Sequence, residues 1–176
     1  MNTFFIADTH FGDAAIFRYE NRPFASVDEM DAEMIARWNA VVRPEDVVYH
    51  LGDFGADGAQ AQVLSALNGT KYLIKGNHDV GSNADYRAFG FAEVYDRPII
   101  LDAFWILSHD ALYVNVNMPY ANLFGHVHNS PIVKDYSPQH FCVSVERIGY
   151  APVEFGEIKR KIKAAVDRLP QEDGNA

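Results

Sequence analysis

Thr3-Phe4-Phe5-Ile6-Ala7-Asp8-Thr9-His10 joins a run rich in β-branched and aromatic residues to an aspartate and a histidine two positions apart. Such a run reads as a buried strand, and the polar pair follows its C-terminal end. The same arrangement recurs four times. Residues 47–51 lead to Gly52-Asp53, residues 72–74 to Gly76-Asn77-His78-Asp79, residues 105–107 to Ser108-His109, and residues 123–124 to Gly125-His126-Val127-His128. In α/β sheets, ligands bind in the crevice outside the carboxyl ends of the strands. Five strands ending in this way predict one shared site. Its donors are aspartates, an asparagine and histidines without a thiolate, a set suited to manganese, iron, zinc or nickel.

In extended backbone, residues two apart point the same way, so Asp8 with His10, and His126 with His128, are expected to converge in pairs. Two facing pairs frame two cations. Cations about 3.5–4 Å apart need a shared ligand, and a carboxylate offers one oxygen to each. Asp53 is the natural bridge. Gly52, Gly76 and Gly125 let the backbone turn sharply and bring the ligands close.

The chain has 176 residues, enough for one domain, expected over residues 1–169 with a frayed tail at 170–176. Its 48% hydrophobic and 22% charged residues are ordinary for a globular protein, and its 12 Phe, 9 Tyr and 2 Trp promise a substantial core. A single cysteine, Cys142, excludes an intrachain disulfide and suits a reducing compartment; it is expected in the core on a strand over 141–145. No basic n-region precedes the first apolar run and no stretch is long enough to span a bilayer, so the expected setting is cytoplasmic, without a membrane. A net charge of −9 disfavours a broad surface for long nucleic acid but leaves a small phosphorylated substrate open.

Residues 11–24 read as an aromatic and basic connection. Ser26-Val27-Asp28-Glu29 then reads as a capping box, and Met30, Met34, Trp38 and Val41 share one face of the helix that follows. Further helices are expected over 58–67, 83–89 and 155–169, the last with Ile158, Ile162, Ala165 and Leu169 as its apolar face. Runs at 93–101 and 104–107 predict a hairpin, and shorter strands are expected at 122–124, 134–136 and 141–145. The first half alternates β and α, which predicts parallel pairing.

The motifs D-x-H, G-D, G-N-H-[DE], a lone H and G-H-x-H, in that order over residues 8–128, resemble the calcineurin-like metallophosphoesterase superfamily. The resemblance implies a four-layer α/β/β/α sandwich of two mixed sheets flanked by helices. It implies two divalent cations, manganese first among the candidates, the first held by Asp8, His10, Asp53 and His128 and the second by Asp53, Asn77, His109 and His126. It also implies in-line attack of a metal-bridging hydroxide on phosphorus, with His78 as general acid at the leaving group. Asp79 either orients His78 or caps the next helix. Arg18, Asn21 and Arg22 lie in a stretch that small bacterial-type members often carry, and serve either as substrate contacts or in structural salt bridges. The lone histidine departs from the frequent H-x-P pattern: here it reads His109-Asp110-Ala111. His50 is expected in the core or behind the ligands, and His140 at the surface.

Two functions compete on this reading. One is dinuclear-metal-dependent hydrolysis of phosphate esters, with phosphodiesters or nucleotides ahead of monoesters. The other is a metal-binding scaffold for a partner protein on the same fold. The complete ligand set with His78 separates them, since a retired site would lose some of these residues. Oligomeric state is not legible in the sequence.

Overall fold

Along β1 (Thr3–Ile6), side chains alternate between two cores: Phe4 and Ile6 enter one apolar cluster, while Phe5, with Ala7 beyond the strand, enters the other. A strand buried on both faces is continuously apolar, which is why residues 3–7 read as they do. In the computed structural model, which describes residues 1–56, 58–130 and 137–169, this strand is near the middle of the larger of two sheets. After it come α1 (Ile16–Glu20), α2 (Val27–Val41), β2 (Val47–His50), α3 (Gln60–Ala66), β3 (Thr70–Ile74), α4 (Asn83–Phe89) and β4 (Glu93–Tyr95). The chain then builds β5 (Ile99–Leu101), β6 (Trp105–Leu107), β7 (Ala121–Phe124) and β8 (His140–Cys142) before α5 (Val145–Ile148), β9 (Val153–Glu154) and α6 (Phe155–Val166).

The first sheet runs β4-β3-β2-β1-β9 and the second β5-β6-β7-β8. Pairing is parallel except at β1–β9 and β5–β6, so both sheets are mixed, and helices flank them as the fold class requires. Met30, Met34 and Trp38 of α2, with Val63 and Leu64 of α3 and Tyr86 of α4, cover one face of the first sheet. The second cluster, with Leu51, Ile74, Leu107 and Leu123, fills the space between the sheets, and α6 inserts Phe155, Ile158 and Ile162 there. Among the described residues no helix is long and apolar enough to cross a membrane.

The parallel strands β1, β2, β3, β6 and β7 all end at the functional motifs. At that end the sheets are stitched together: Ala7 N donates to Val143 O at 2.9 Å and Val145 N donates to Ala7 O at 3.1 Å. Ligands from separate sheets therefore meet at one place.

Several elements differ from the expectation. Residues 93–101 do not form one strand; β4 pairs with β3, whereas β5 makes the expected hairpin with β6 in the other sheet. Val41 is exposed and Val42 buried, because the chain leaves the helix in an extended conformation at Val42 and swings that side chain inward. In the last helix Ile158 and Ile162 are buried, but Leu169 is exposed and beyond the helix end. The expected strand over 141–145 stops at Cys142, which is only partly buried, and Val145 begins a helix. His140 lies on β8, partly buried, with Nε2 at 2.7 Å from Leu112 O. The expected strand at 134–136 and the tail at 170–176 lie outside the described residues.

His50 is buried in the first sheet. Its Nε2 is 2.9 Å from Thr9 Oγ1, whose hydroxyl donates to Phe54 O at 2.6 Å, so Nε2 carries the proton and the buried Nδ1 has no partner. Burial pushes the imidazole down from 6.5 to about 3. Below pH 6.5 the unfolded chain takes up a proton that the folded chain refuses, so this stabilising contribution is lost as the pH falls. The stability gap between wild type and His50→Gln is expected to narrow by about 2 kcal/mol from pH 7 to pH 5, read by urea unfolding of metal-free protein. A gap that widens would contradict a neutral, buried His50.

Candidate metal centre

The convergence expected from the motifs is present, but extended backbone does not produce it. Asp8, His10, Asp53, His126 and His128 all have left-handed backbone, with φ of 59°, 50°, 57°, 69° and 46°. Each costs on the order of 1 kcal/mol for a residue with a Cβ, and such strain persists where the surroundings over-determine it. Here main-chain bonds do so: Asp8 N donates to Gly52 O at 2.9 Å and His10 N to Asp53 O at 3.1 Å. The sharp turns aim side chains from the strand ends into one space. Gly52, at φ +96°, and Gly125 leave room for them; a Cβ on Gly125 would stand 2.8 Å from Asp8 Oδ2.

Two groups of donor atoms result at the strand ends, and a third set of Glu20, His128 and Glu146 shares His128 with the first of them. Asp8, His10 and His128 form one, and Asp53, His109 and His126 the other, the ligand atoms within each lying within 4.8 Å of one another. Asp53 Oδ2 lies between them, 3.6 Å from His10 Nε2 and 3.4 Å from His109 Nε2. Asn77 joins the second group, its Oδ1 at 3.0 Å from both His109 Nε2 and His126 Nδ1, which are themselves 3.1 Å apart. Ligands at right angles about a cation, each about 2.1 Å away, stand ~3.0 Å apart, the spacing of this triangle. His10 Nε2 is buried without a hydrogen-bond partner. These donors fit two divalent cations.

Three of the histidines have their outer nitrogen engaged by oxygen. His109 Nδ1 donates to Leu51 O at 2.8 Å, His10 Nδ1 is 3.2 Å from Asp13 Oδ2, and His128 Nδ1 is 3.0 Å from Glu146 Oε1. Each partner fixes the ring and leaves Nε2 for the site. The local electrostatics are those of concentrated donors. Burial pushes Asp8 up to about 6 and His10 down to about 4. For His109, burial acts downward but is outweighed by the hydrogen bond and charge of Asp53, with Asp8, which hold it at about 9. Burial raises Asp53 too, yet the hydrogen bond and charge of His109 prevail and keep it at about 2.

His78 is exposed, its ring centroid 5.2 Å from that of His10, and its main-chain N donates to Asp53 Oδ1 at 2.8 Å. It faces a cleft of about 310 Å³ with His10 and His128, against a wall of Ile16, Tyr19 and Glu20.

Asp79 takes neither of its expected roles. Its Oδ2 accepts from Asp53 N at 2.7 Å and Gly76 N at 2.9 Å, and its Oδ1 from Phe54 N at 3.1 Å. The next helix is capped by Ser82, in a capping box with Asp85. Asp79 is thus a buried clamp between the loops carrying Asp53 and Asn77; burial lifts its carboxyl, against the pull of those amides. Asp79→Ala would strand the three amides at an expected cost of about 3–5 kcal/mol, measured by urea unfolding. A loss under ~1 kcal/mol would show the clamp to be unimportant.

Arg22 is buried, with Nη1 donating to Thr9 O at 2.7 Å and Nη2 to Glu146 Oε1 at 2.7 Å, so it follows the salt-bridge alternative and does not reach across the site. Asn21 is the exposed, left-handed C-cap of α1 at φ 45°. Arg18 is exposed on α1, outside the residues that line the cleft. Asp13 and Glu146, each against a ligand histidine, were not singled out in the sequence. For Asp13 the signal was its position three residues after His10; Glu146 has none.

The family model of the calcineurin-like phosphoesterases matches residues 1–150. The chain belongs to that family. An uncharacterised protein of Methanocaldococcus jannaschii is 33% identical over 168 residues, 91% of this chain and 90% of that one. The gene 66 protein of Mycobacterium phage L5 is 28% identical over 149 residues, 78% of this chain and 67% of the phage protein. The crystal structure of an Aquifex aeolicus protein of unknown function has the same fold, with a TM-score of 0.68, 24% identity, and coverage of 90% of this chain and 98% of that one. Calcineurin-like phosphoesterases are typically metal-dependent hydrolases of phosphate esters that bind two divalent metals, in keeping with the His and Asp groups found here.

Proposed function

We propose that this calcineurin-like phosphoesterase hydrolyses small phosphodiesters in preference to monoesters at a pair of divalent cations. The carrying observation is the position of Asp53, with Oδ2 3.6 Å and 3.4 Å from a histidine of each group, beside His78 at an open cleft. Asp8, His10, Asp53 and His128 hold the first cation; Asp53, Asn77, His109 and His126 hold the second. Manganese, iron, zinc and nickel are all compatible with such mixed oxygen and nitrogen donors, and manganese is the cation used in the tests. When bound, the cations acidify water toward a pKa of about 7 and neutralise charge on the phosphoryl group.

The chain's own groups do the rest. Asp53 keeps both halves of the centre in register. His78, tied to that carboxylate through its main-chain N, gives a proton to the departing alkoxide from the cleft side. Ile16 and Tyr19 offer an apolar wall to the leaving group. Asp13 and Glu20 make the cleft acidic, which suits the single charge of a diester better than the two of a monoester. A net charge of −9 turns the reading away from long nucleic acid and toward a nucleotide-sized substrate. One cysteine supports a reducing, cytoplasmic setting.

Protein reconstituted with Mn²⁺ is expected to hydrolyse bis(p-nitrophenyl) phosphate faster than p-nitrophenyl phosphate and to lose both activities in chelator. Two bound Mn²⁺ with no turnover of either ester would favour the scaffold reading instead.

A further inference from the structure

Arg22 and Glu146 are 124 positions apart, yet they form one buried unit: the side chains are 0% and 4% exposed, and Glu146 Oε1 accepts from Arg22 Nε at 2.9 Å and Nη2 at 2.7 Å. The same oxygen lies 3.0 Å from His128 Nδ1. Of the remaining guanidinium hydrogens two go to main chain, Nη1 to Thr9 O at 2.7 Å and Nη2 to Asp8 O at 2.5 Å, and Nη1 also donates to Met30 Sδ at 3.3 Å. The unit therefore joins the two loops that supply Asp8, His10 and His128, both of them in left-handed conformations. From the same short helix, Arg147 donates to the carbonyls of His128 and Ser130.

Two effects on the first donor group follow. A carboxylate accepting the Nδ1 proton fixes the tautomer and rotation of His128, so that Nε2 carries the lone pair toward Asp8 and His10. The same carboxylate cancels a guanidinium which, left alone in a buried place beside a cation site, would repel the cation. In the second group His109 is held by the uncharged carbonyl of Leu51, and the carboxylate near His126, Asp110 Oδ1 at 3.6 Å from Nε2, is exposed instead of buried.

We infer that Glu146, charge-paired with Arg22, is a positioning residue that sets the metal affinity of the first donor group alone, by orienting His128 and neutralising the guanidinium behind Asp8. This rests on the two-cation reading above. Glu146→Gln keeps the shape and removes the charge. Titration of metal-free protein with Mn²⁺, followed by the electron paramagnetic resonance of free Mn²⁺, is expected to show two sites in wild type. In the variant, one site weakens 10- to 100-fold and the other is unchanged. Both sites unchanged, or both weakened equally, would overturn the inference while leaving the centre intact; no Mn²⁺ bound by wild type would overturn the centre itself. Should Glu146→Gln not fold, wild type still decides through the ¹⁵N resonances of His128 on addition of Zn²⁺. Nε2 is expected to shift while Nδ1 stays protonated, and coordination through Nδ1 would overturn the role given to Glu146.

Discussion

Asp53→Asn is expected to lose both cations and to lower kcat/KM for the diester by about 10³-fold or more, because one substitution touches both halves of the centre. Asp53 Oδ2 is the oxygen between the two groups, and Oδ1 accepts the main-chain N of His78 at 2.8 Å. An amide in its place brings a neutral oxygen to a site assembled around a carboxylate held at about 2, and at one position it turns N–H groups toward His10, His109 or His78 N. Metal content by elemental analysis and turnover should fall together. A variant that retains two metals and near-normal rates would show that the groups do not share this residue.

His78→Asn should behave oppositely. His78 belongs to neither donor group, so both cations are expected to remain, while turnover falls 10²- to 10⁴-fold for esters with poor, alkoxide-like leaving groups. The loss should be far smaller for p-nitrophenolate, which departs without a proton. Rates across esters of increasing leaving-group pKa therefore steepen in the variant. Equal loss across the series, or loss of metal, would assign His78 to structure or coordination instead of proton transfer.

The sequence reveals the site more readily than the reasons for its precision. Asp8, His10, Asp53, Asn77, His109, His126 and His128 are legible because each follows a run whose composition already makes it a strand, and parallel strands deliver their ends to one side. The left-handed turns at five of them are invisible in side-chain periodicity, being held by distant partners: main chain at Asp8, His10 and Asp53, the Asp8 carboxylate at His126 N, and the Arg147 guanidinium at His128 O. Glu146 could not be found for the same reason: its partners Arg22 and His128 are 124 and 18 positions away. Asp79 is legible as part of its motif, but two of the three amides its carboxylate accepts, those of Asp53 and Phe54, belong to another loop, so its clamp role emerges only in three dimensions. The short helices α1 and α5 carry too few residues for a helical period, and the division of residues 93–101 between sheets depends on pairing partners that no local pattern encodes.

The most direct test of the central claim is anomalous diffraction at the manganese edge from crystals grown with Mn²⁺. The account predicts two peaks about 3.5–4 Å apart, one within bonding distance of Asp8, His10, Asp53 and His128 and the other of Asp53, Asn77, His109 and His126. A single peak, or two peaks with no common contact to Asp53, would contradict it.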